Sequence, residues 1–258
     1  MTDFITTERR GRVTIFTIDR PEAMNAMHAP AHFEMADKLD AFGADPKQWV
    51  AIITGAGEKA FCAGNDLKQR LAPGEPVVPP TGFAGLTARF DLSKPVIAAV
   101  NGLAFGGGFE LALACDMVVA SENASFALPE VKVGLAAMGG GLLRLPRLIG
   151  AKRASEMIMT GKRIGAREAL ELGLVNRLAP VGEALAAALA LADEILVAAP
   201  LAIRASKATM ARALGQDIEA AMLAHLYYPE IVAMMDSEDA REGPRAFAEK
   251  RAPIWTAR

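Results

Sequence analysis

Only two cysteines occur in 258 residues, Cys62 and Cys115, too few and too far apart for a disulfide framework or a zinc site. The three histidines, His28, His32 and His225, form no H-E-x-x-H array. His28 and His32 share a helix face without any ligand-rich segment beside them, and read as surface residues; no metal site is expected. There is no G-x-S-x-G elbow for a serine hydrolase and no G-x-x-x-x-G-K-[ST] phosphate loop. No apolar run approaches the roughly eighteen residues that would span a membrane. The opening MTDFITTERRGR lacks the basic-then-apolar order of a signal peptide. A formal charge of −2 supplies no field for gathering a polyanion. The expectation is a soluble, cytoplasmic protein without a nucleic-acid or membrane partner.

What is present suits a packed core: 52 % hydrophobic and 22 % charged residues, in a length for one large domain or a domain with an appendage. Segments 3–8 and 12–18 read as paired strands around Arg10-Gly11, and 28–43 as a helix carrying Phe33, Met35, Leu39 and Phe42. Val50 to Thr54, Val96 to Val100 and Met117 to Ala120 read as buried strands followed by glycine-rich or polar turns. The Pro- and Gly-dense stretch 71–82 is a loop. Past residue 150 the texture turns helical, at 151–160, 166–172, 182–198, 201–214 and 217–235, with one strand at Leu174 to Leu178. These textures predict an α/β core over 1–199 and a helical region over 200–258.

Three constellations can carry chemistry. In the first, a buried-type strand leads from Asn101 into Gly106-Gly-Gly and then an apolar helical run to Asp116. Glycines let a ligand approach the backbone, and the following helix turns free N–H groups toward it, which suits an oxyanion. Glu110 lies in that run among Phe109, Leu111, Ala112 and Leu113, where burial would raise its pKa into the acid–base range. A dipole-complementing acid at a helix start is the plainer alternative. In the second, Lys59 to Lys68 places Gly64-Asn65-Asp66 after a strand, another set of backbone donors. Upstream, Gly55-Ala-Gly57-Glu-Lys-Ala60 fits a relaxed dinucleotide pattern, but a turn follows instead of a helix, which argues against it. In the third, Glu130 follows Pro129 and precedes Gly139-Gly-Gly141. Alone it is a loop acid; paired with Glu110 it becomes a candidate for acid and base on either side of one bond.

Taken in order, these segments resemble the enoyl-CoA hydratase/isomerase, or crotonase, family across nearly the whole chain. The resemblance runs from Asp19-Arg-Pro-Glu-Ala-Met-Asn25-Ala through Phe61 to Leu67, Asn101 to Asp116 and Pro129-Glu130, to Glu242 through Lys250. It implies a ββα spiral core with a helical C-terminal region that assembles trimers or hexamers. It implies an acyl-CoA thioester as substrate, with CoA part of that substrate and no separate cofactor required. It carries two backbone N–H donors for the thioester oxygen onto Asn65 and Gly107, water activation onto Glu110, and proton delivery to the α-carbon onto Glu130. Contacts to CoA fall on Glu22, Ala23, Met24, Ala63, Asn65, Asp66, Leu67, Lys68, Gly107, Phe247 and Lys250. Two positions depart from the pattern. Asn65 replaces a small residue, with its side chain free to point away. Glu22 replaces a lysine, leaving phosphate contacts to Lys68, Lys250 or other cations.

The implied activity is hydration of a 2-enoyl-CoA to a 3-hydroxyacyl-CoA. A 2,3-enoyl-CoA isomerase needs only one principal acid–base group, and a non-catalytic acyl-CoA-binding protein needs neither; both acids are retained here. Val133 to Pro146 and Ser237 to Pro244 look similar to the carnitinyl-CoA dehydratase branch, which handles a trimethylammonium group. Aromatic faces for that cation are scarce, with two Trp and two Tyr, none near the motifs. A neutral short- or medium-chain substrate, with loop 71–82 shaping its pocket, is the expectation.

Overall fold

The computed structural model describes residues 3–68 and 77–258. Its first elements are β1 (Ile5–Arg10), β2 (Val13–Ile18), α1 (Ala29–Ala44), β3 (Val50–Gly55) and β4 (Ala60–Cys62). Then come β5 (Val96–Val100), β6 (Leu103–Phe105), α2 (Gly107–Ala114), β7 (Met117–Ser121) and β8 (Ser125–Ala127). The rest is α3 (Gly141–Ile149), α4 (Ala151–Thr160), β9 (Ile164–Gly165), α5 (Ala166–Glu171), β10 (Arg177–Ala179) and α6 (Ala184–Leu196). The chain closes with α7 (Pro200–Ala213), α8 (Ile218–Ala224), α9 (Pro229–Met235) and α10 (Glu238–Ala248).

Two sheets form. One has the order β1-β2-β3-β5-β7-β10, the other β4-β6-β8-β9. Successive strands alternate between them: β3, β5 and β7 pair in parallel in the first, while β4, β6 and β8 pair in parallel in the second. This is the strand–strand–helix spiral that the resemblance implied. The second strand of each turn is only three residues long, so its period could not be heard in the sequence. What reads there as glycine-rich turn is β6 followed by the start of α2.

The central strands β3 and β5 of the larger sheet are buried along their whole length because both their faces are covered, whereas the edge strand β1 exposes five of its six residues. Val13, Ile15, Val50, Ile52, Ile97 and Ala99 pack under Ala188, Leu191 and Ala192 of α6. Their alternates Phe16, Ile18, Ala51, Ile53, Ala98 and Val100 enter the main core with α1 and α2. Burying side chains of this size stabilises the fold by about 1.5–3 kcal/mol each.

Three sequence expectations need correction. The strand expected at Leu174 to Leu178 is Arg177–Ala179; Leu174 instead closes the α5 end, its N–H donating to Ala169 O at 2.9 Å. The helix expected over 217–235 is interrupted by a 3₁₀ turn at His225–Tyr227, and Pro229, which lacks an N–H, starts a new helix. His32 is fully buried, not at the surface. Among the described residues no single helix is long and apolar enough to cross a membrane.

Candidate active site

The first sheet delivers β5 to Asn101, whose side chain bonds back to the β3 end: Nδ2 donates to Gly55 O at 2.9 Å and Gly57 O at 2.7 Å. The chain then crosses through β6 into Gly106, which has φ 54° and ψ −127°, a conformation open to glycine alone. Gly108 follows so close to β4 that a Cβ there would lie 2.0 Å from Cys62 O. The turn therefore seats the N-terminus of α2 directly against the Cys62–Asn65 segment. A Cβ on Gly64 would meet Gly107 N at 3.3 Å, so the two donor-bearing segments are immediate neighbours. Met27 pins the second segment on both sides of Asn65, donating its N–H to Gly64 O and accepting from Asp66 N, each at 2.8 Å. Among the described residues, neither the Asn65 N–H nor the Gly107 N–H has a protein acceptor. Both residues line one cavity of about 860 Å³.

Glu110 stands one turn into α2, on the cavity wall, with only 4 % of its surface exposed. Its Oε1 accepts the Gly141 N–H at 2.8 Å, from the start of α3. Burial raises its pKa to about 7, against the lowering effect of that N–H, and the charge of nearby Glu130 raises it further. Glu130 begins the 3₁₀ turn Glu130–Val133, half-buried on the same cavity. Its Oε1 would be 3.1 Å from a Cβ on Gly106, and its Oε2 is buried with no hydrogen-bond partner. Burial raises its pKa also. One buried and one half-buried carboxyl thus line the same cavity as the free N–H groups, and the charge of Glu130 opposes ionisation of Glu110.

The remaining lining is apolar on the Val77, Val78, Phe83, Val133, Leu135 and Met138 side, with Lys132, Arg144 and Arg147 adding positive charge. Arg144 donates through Nη2 to Thr87 O at 2.8 Å, and burial lowers its pKa. Among the described residues no Trp or Tyr lines the cavity. Of the loop expected to shape it, 77–82 contributes Val77, Val78 and Gly82, whereas 71–76 lies outside the described residues.

Sequence-predicted contacts divide. Ala63, Asn65, Leu67 and Gly107 line this cavity. Met24 is beside them, its carbonyl accepting the Ala63 N–H at 3.1 Å, and it lines a smaller pocket of about 190 Å³ over Ala56 to Ala60. Glu22 and Ala23 belong to the same 3₁₀ turn. Asp66 is held by Arg20, Nη2 to Oδ2 at 3.0 Å, and Lys68 is exposed next to it. Phe247, 87 % exposed, and Lys250 lie at and beyond the end of α10 and line neither cavity. A charged pocket at Glu238–Thr256 is built around Glu242, which pairs with both Arg245 and Arg251, and holds no part of this constellation. Sequence reasoning missed His32. Its Nε2 lies 3.1 Å from Asn65 Oδ1 in a part-buried contact, so the side chain of the exposed Asn65 turns from the hole toward α1. The i,i+4 spacing of His28 and His32 was visible, but nothing local distinguishes the buried one.

Comparison with known proteins agrees with this arrangement. Residues 8–258 match the family described as enoyl-CoA hydratase/isomerase. A carnitinyl-CoA dehydratase of Salmonella typhi is 48 % identical over 267 aligned residues, covering all of both chains. An enoyl-CoA hydratase structure from Mycobacterium tuberculosis superimposes with a TM-score of 0.93 at 45 % identity, again covering both chains fully. A carnitinyl-CoA hydratase structure from Mycobacterium avium gives 0.78 at 46 % identity, also with full coverage of both. The chain belongs to the enoyl-CoA hydratase/isomerase family, and its activity is of the hydratase/dehydratase type.

Proposed function

We propose that this family member adds water reversibly to a neutral 2-enoyl-CoA, giving a 3-hydroxyacyl-CoA. The observation that carries the reading is the placing of two pKa-raised carboxyls, buried Glu110 and half-buried Glu130, on one cavity with two backbone N–H groups without acceptors among the described residues. The thioester oxygen accepts from the Asn65 and Gly107 N–H groups. Glu110, ionised, takes a proton from water as its oxygen bonds to the β-carbon. The double-bond electrons move onto the thioester oxygen, where each donor lowers the barrier by roughly 3 kcal/mol. Glu130, protonated, delivers its proton to the α-carbon as the electrons return. Glu110 now holds a proton that Glu130 lacks, and transfer through solvent restores the starting pair. Neither redox chemistry nor an added electrophile enters these steps.

The substrate class rests on the cavity wall. Among the described residues, its two carboxylates are the reacting pair, and its other charges, Lys132, Arg144 and Arg147, are positive. A trimethylammonium group would meet repulsion there and, among the described residues, only the phenylalanine faces of Phe83 and Phe90. The full-length relatives named as carnitinyl-CoA dehydratase and hydratase support the second reading, a substrate bearing that cation. Turnover of crotonyl-, hexenoyl- and crotonobetainyl-CoA, with the product identified, tests both. Neutral substrates are expected to give the higher kcat/KM and a 3-hydroxyacyl product. Preference for crotonobetainyl-CoA would reverse the substrate assignment, and a shifted double bond without hydration would indicate isomerase chemistry.

A further inference from the structure

We infer that His32 is a positioning residue for the oxyanion hole, holding the Asn65 half of it in register with the Gly107 half. The inference rests on the proposed use of the Asn65 and Gly107 N–H groups. His32 lies on α1 with none of its surface exposed. Its Nδ1 accepts the Ala84 N–H at 2.9 Å, which fixes the tautomer, since a backbone amide can only donate. Nε2 therefore carries the proton and donates to Asn65 Oδ1 at 3.1 Å. Burial lowers the imidazole pKa to about 4, so the ring stays neutral and the donor direction holds at physiological pH.

The other side of the ring reaches the second donor. His32 meets Phe83 edge-on at 4.6 Å between centroids. Phe83 in turn covers Gly107 so closely that a Cβ there would lie 2.3 Å from the phenyl ring. Ala84 sits at φ 48°, a backbone region that a residue with a Cβ occupies at a cost, and its N–H is the one His32 captures. One buried imidazole thus joins the Asn65 side chain, the strained turn at 83–85 and, through Phe83, the N-terminus of α2. Neither ring nitrogen faces the substrate, so the residue acts through Asn65 and Phe83. A residue that merely filled the core would need neither bond to have this polarity.

Two amides separate the ring's functions. His32→Asn keeps an acceptor at the Nδ1 position but cannot reach Asn65; His32→Gln places an N–H at the Nε2 position. Asn65→Ala removes the acceptor from an exposed residue while keeping the backbone donor, and so carries the test if a His32 variant fails to fold. The probe is butyryl-CoA labelled with ¹³C at the thioester carbonyl, which binds without reacting. Its carbonyl stretch, read by infrared difference spectroscopy, reports polarisation by the hole. The wild-type protein is expected to lower that frequency. His32→Asn and Asn65→Ala are expected to lose most of the shift and about 10–100-fold in kcat for crotonyl-CoA, less than the 10²–10³-fold for deleting an oxyanion donor outright. KM is expected to stay within about threefold. His32→Gln is expected to retain most of the shift, and His32→Asn/Asn65→Ala to be no worse than either single change. A wild-type shift that survives in His32→Asn or in Asn65→Ala, or effects that add in the double variant, would overturn the role of His32 alone. Absence of any shift in the wild-type protein would overturn the hole itself, and this inference with it.

Discussion

Glu110 Oε1 accepts the N–H of Gly141 at 2.8 Å, so the acid of α2 is aimed by the first residue of α3. Gly139, two residues earlier, passes so near that a Cβ on it would lie 2.5 Å from Glu110 Oε2. Gly139→Ala must therefore push the carboxyl aside. A misplacement of about 1 Å costs about 10²-fold in a well-positioned site, and a fall in hydration kcat of about 10–100-fold is expected. Steady-state kinetics with thermal melting checks this; unchanged kcat at unchanged Tm would mean that the Glu110 position is not critical.

The buried charge has a stability consequence. Glu110 has its pKa raised from 4.5 to about 7, so the folded state holds a proton that the unfolded chain releases. The stability present below about 4.5 is lost as pH rises through about 7, and is on the order of 3 kcal/mol. Glu110→Gln has no such loss. Its Tm is expected to exceed the wild-type value at pH 8 and to converge with it near pH 4.5. An equal Tm at both pH values would contradict the burial of an ionisable Glu110.

The same two acids set the pH dependence of turnover. The mechanism uses ionised Glu110, so kcat/KM is expected to rise with pH as that carboxyl loses its proton near about 7, and a profile falling through that range would contradict its role as base. Glu130 helps to raise the Glu110 pKa by its charge. In Glu130→Gln, an infrared titration of Glu110 is expected to move its midpoint below the wild-type value; an unmoved midpoint would separate the two groups electrostatically.

Much of this was legible in sequence because the informative signals are local. Gly106-Gly-Gly before Glu110, and Gly64 before Asn65, mark places where backbone comes close to backbone, and the structure uses them so. The apolar runs at Val50 and Val96 read as buried strands, and α6 covering the outer face explains why they do not alternate. The long-range partners were not legible. That Gly141 would hold Glu110, or that His32 would reach Asn65 from 33 residues away, depends on how α1 and α3 fold onto the site. Three-residue strands such as β4 and β8 are too short for periodicity to show.

The surface left on the helical region leads us to expect assembly. Met210, Leu214, Met222 and Leu223 are all more than half exposed, a density of apolar side chains that a monomer does not usually present. Ile231 and Met234 are half-buried beside them. We expect a homotrimer or a homohexamer, read by sedimentation velocity at micromolar concentration. A stable monomer at that concentration would contradict it.

Hydration of crotonyl-CoA by the wild-type protein, Glu110→Gln and Glu130→Gln, measured with acyl-CoA affinity on the same samples, tests the two-carboxyl mechanism most directly. Each variant is expected to bind acyl-CoA nearly as the wild type does and to lose about 10²–10⁴-fold in kcat. Wild-type turnover in both variants would contradict the mechanism.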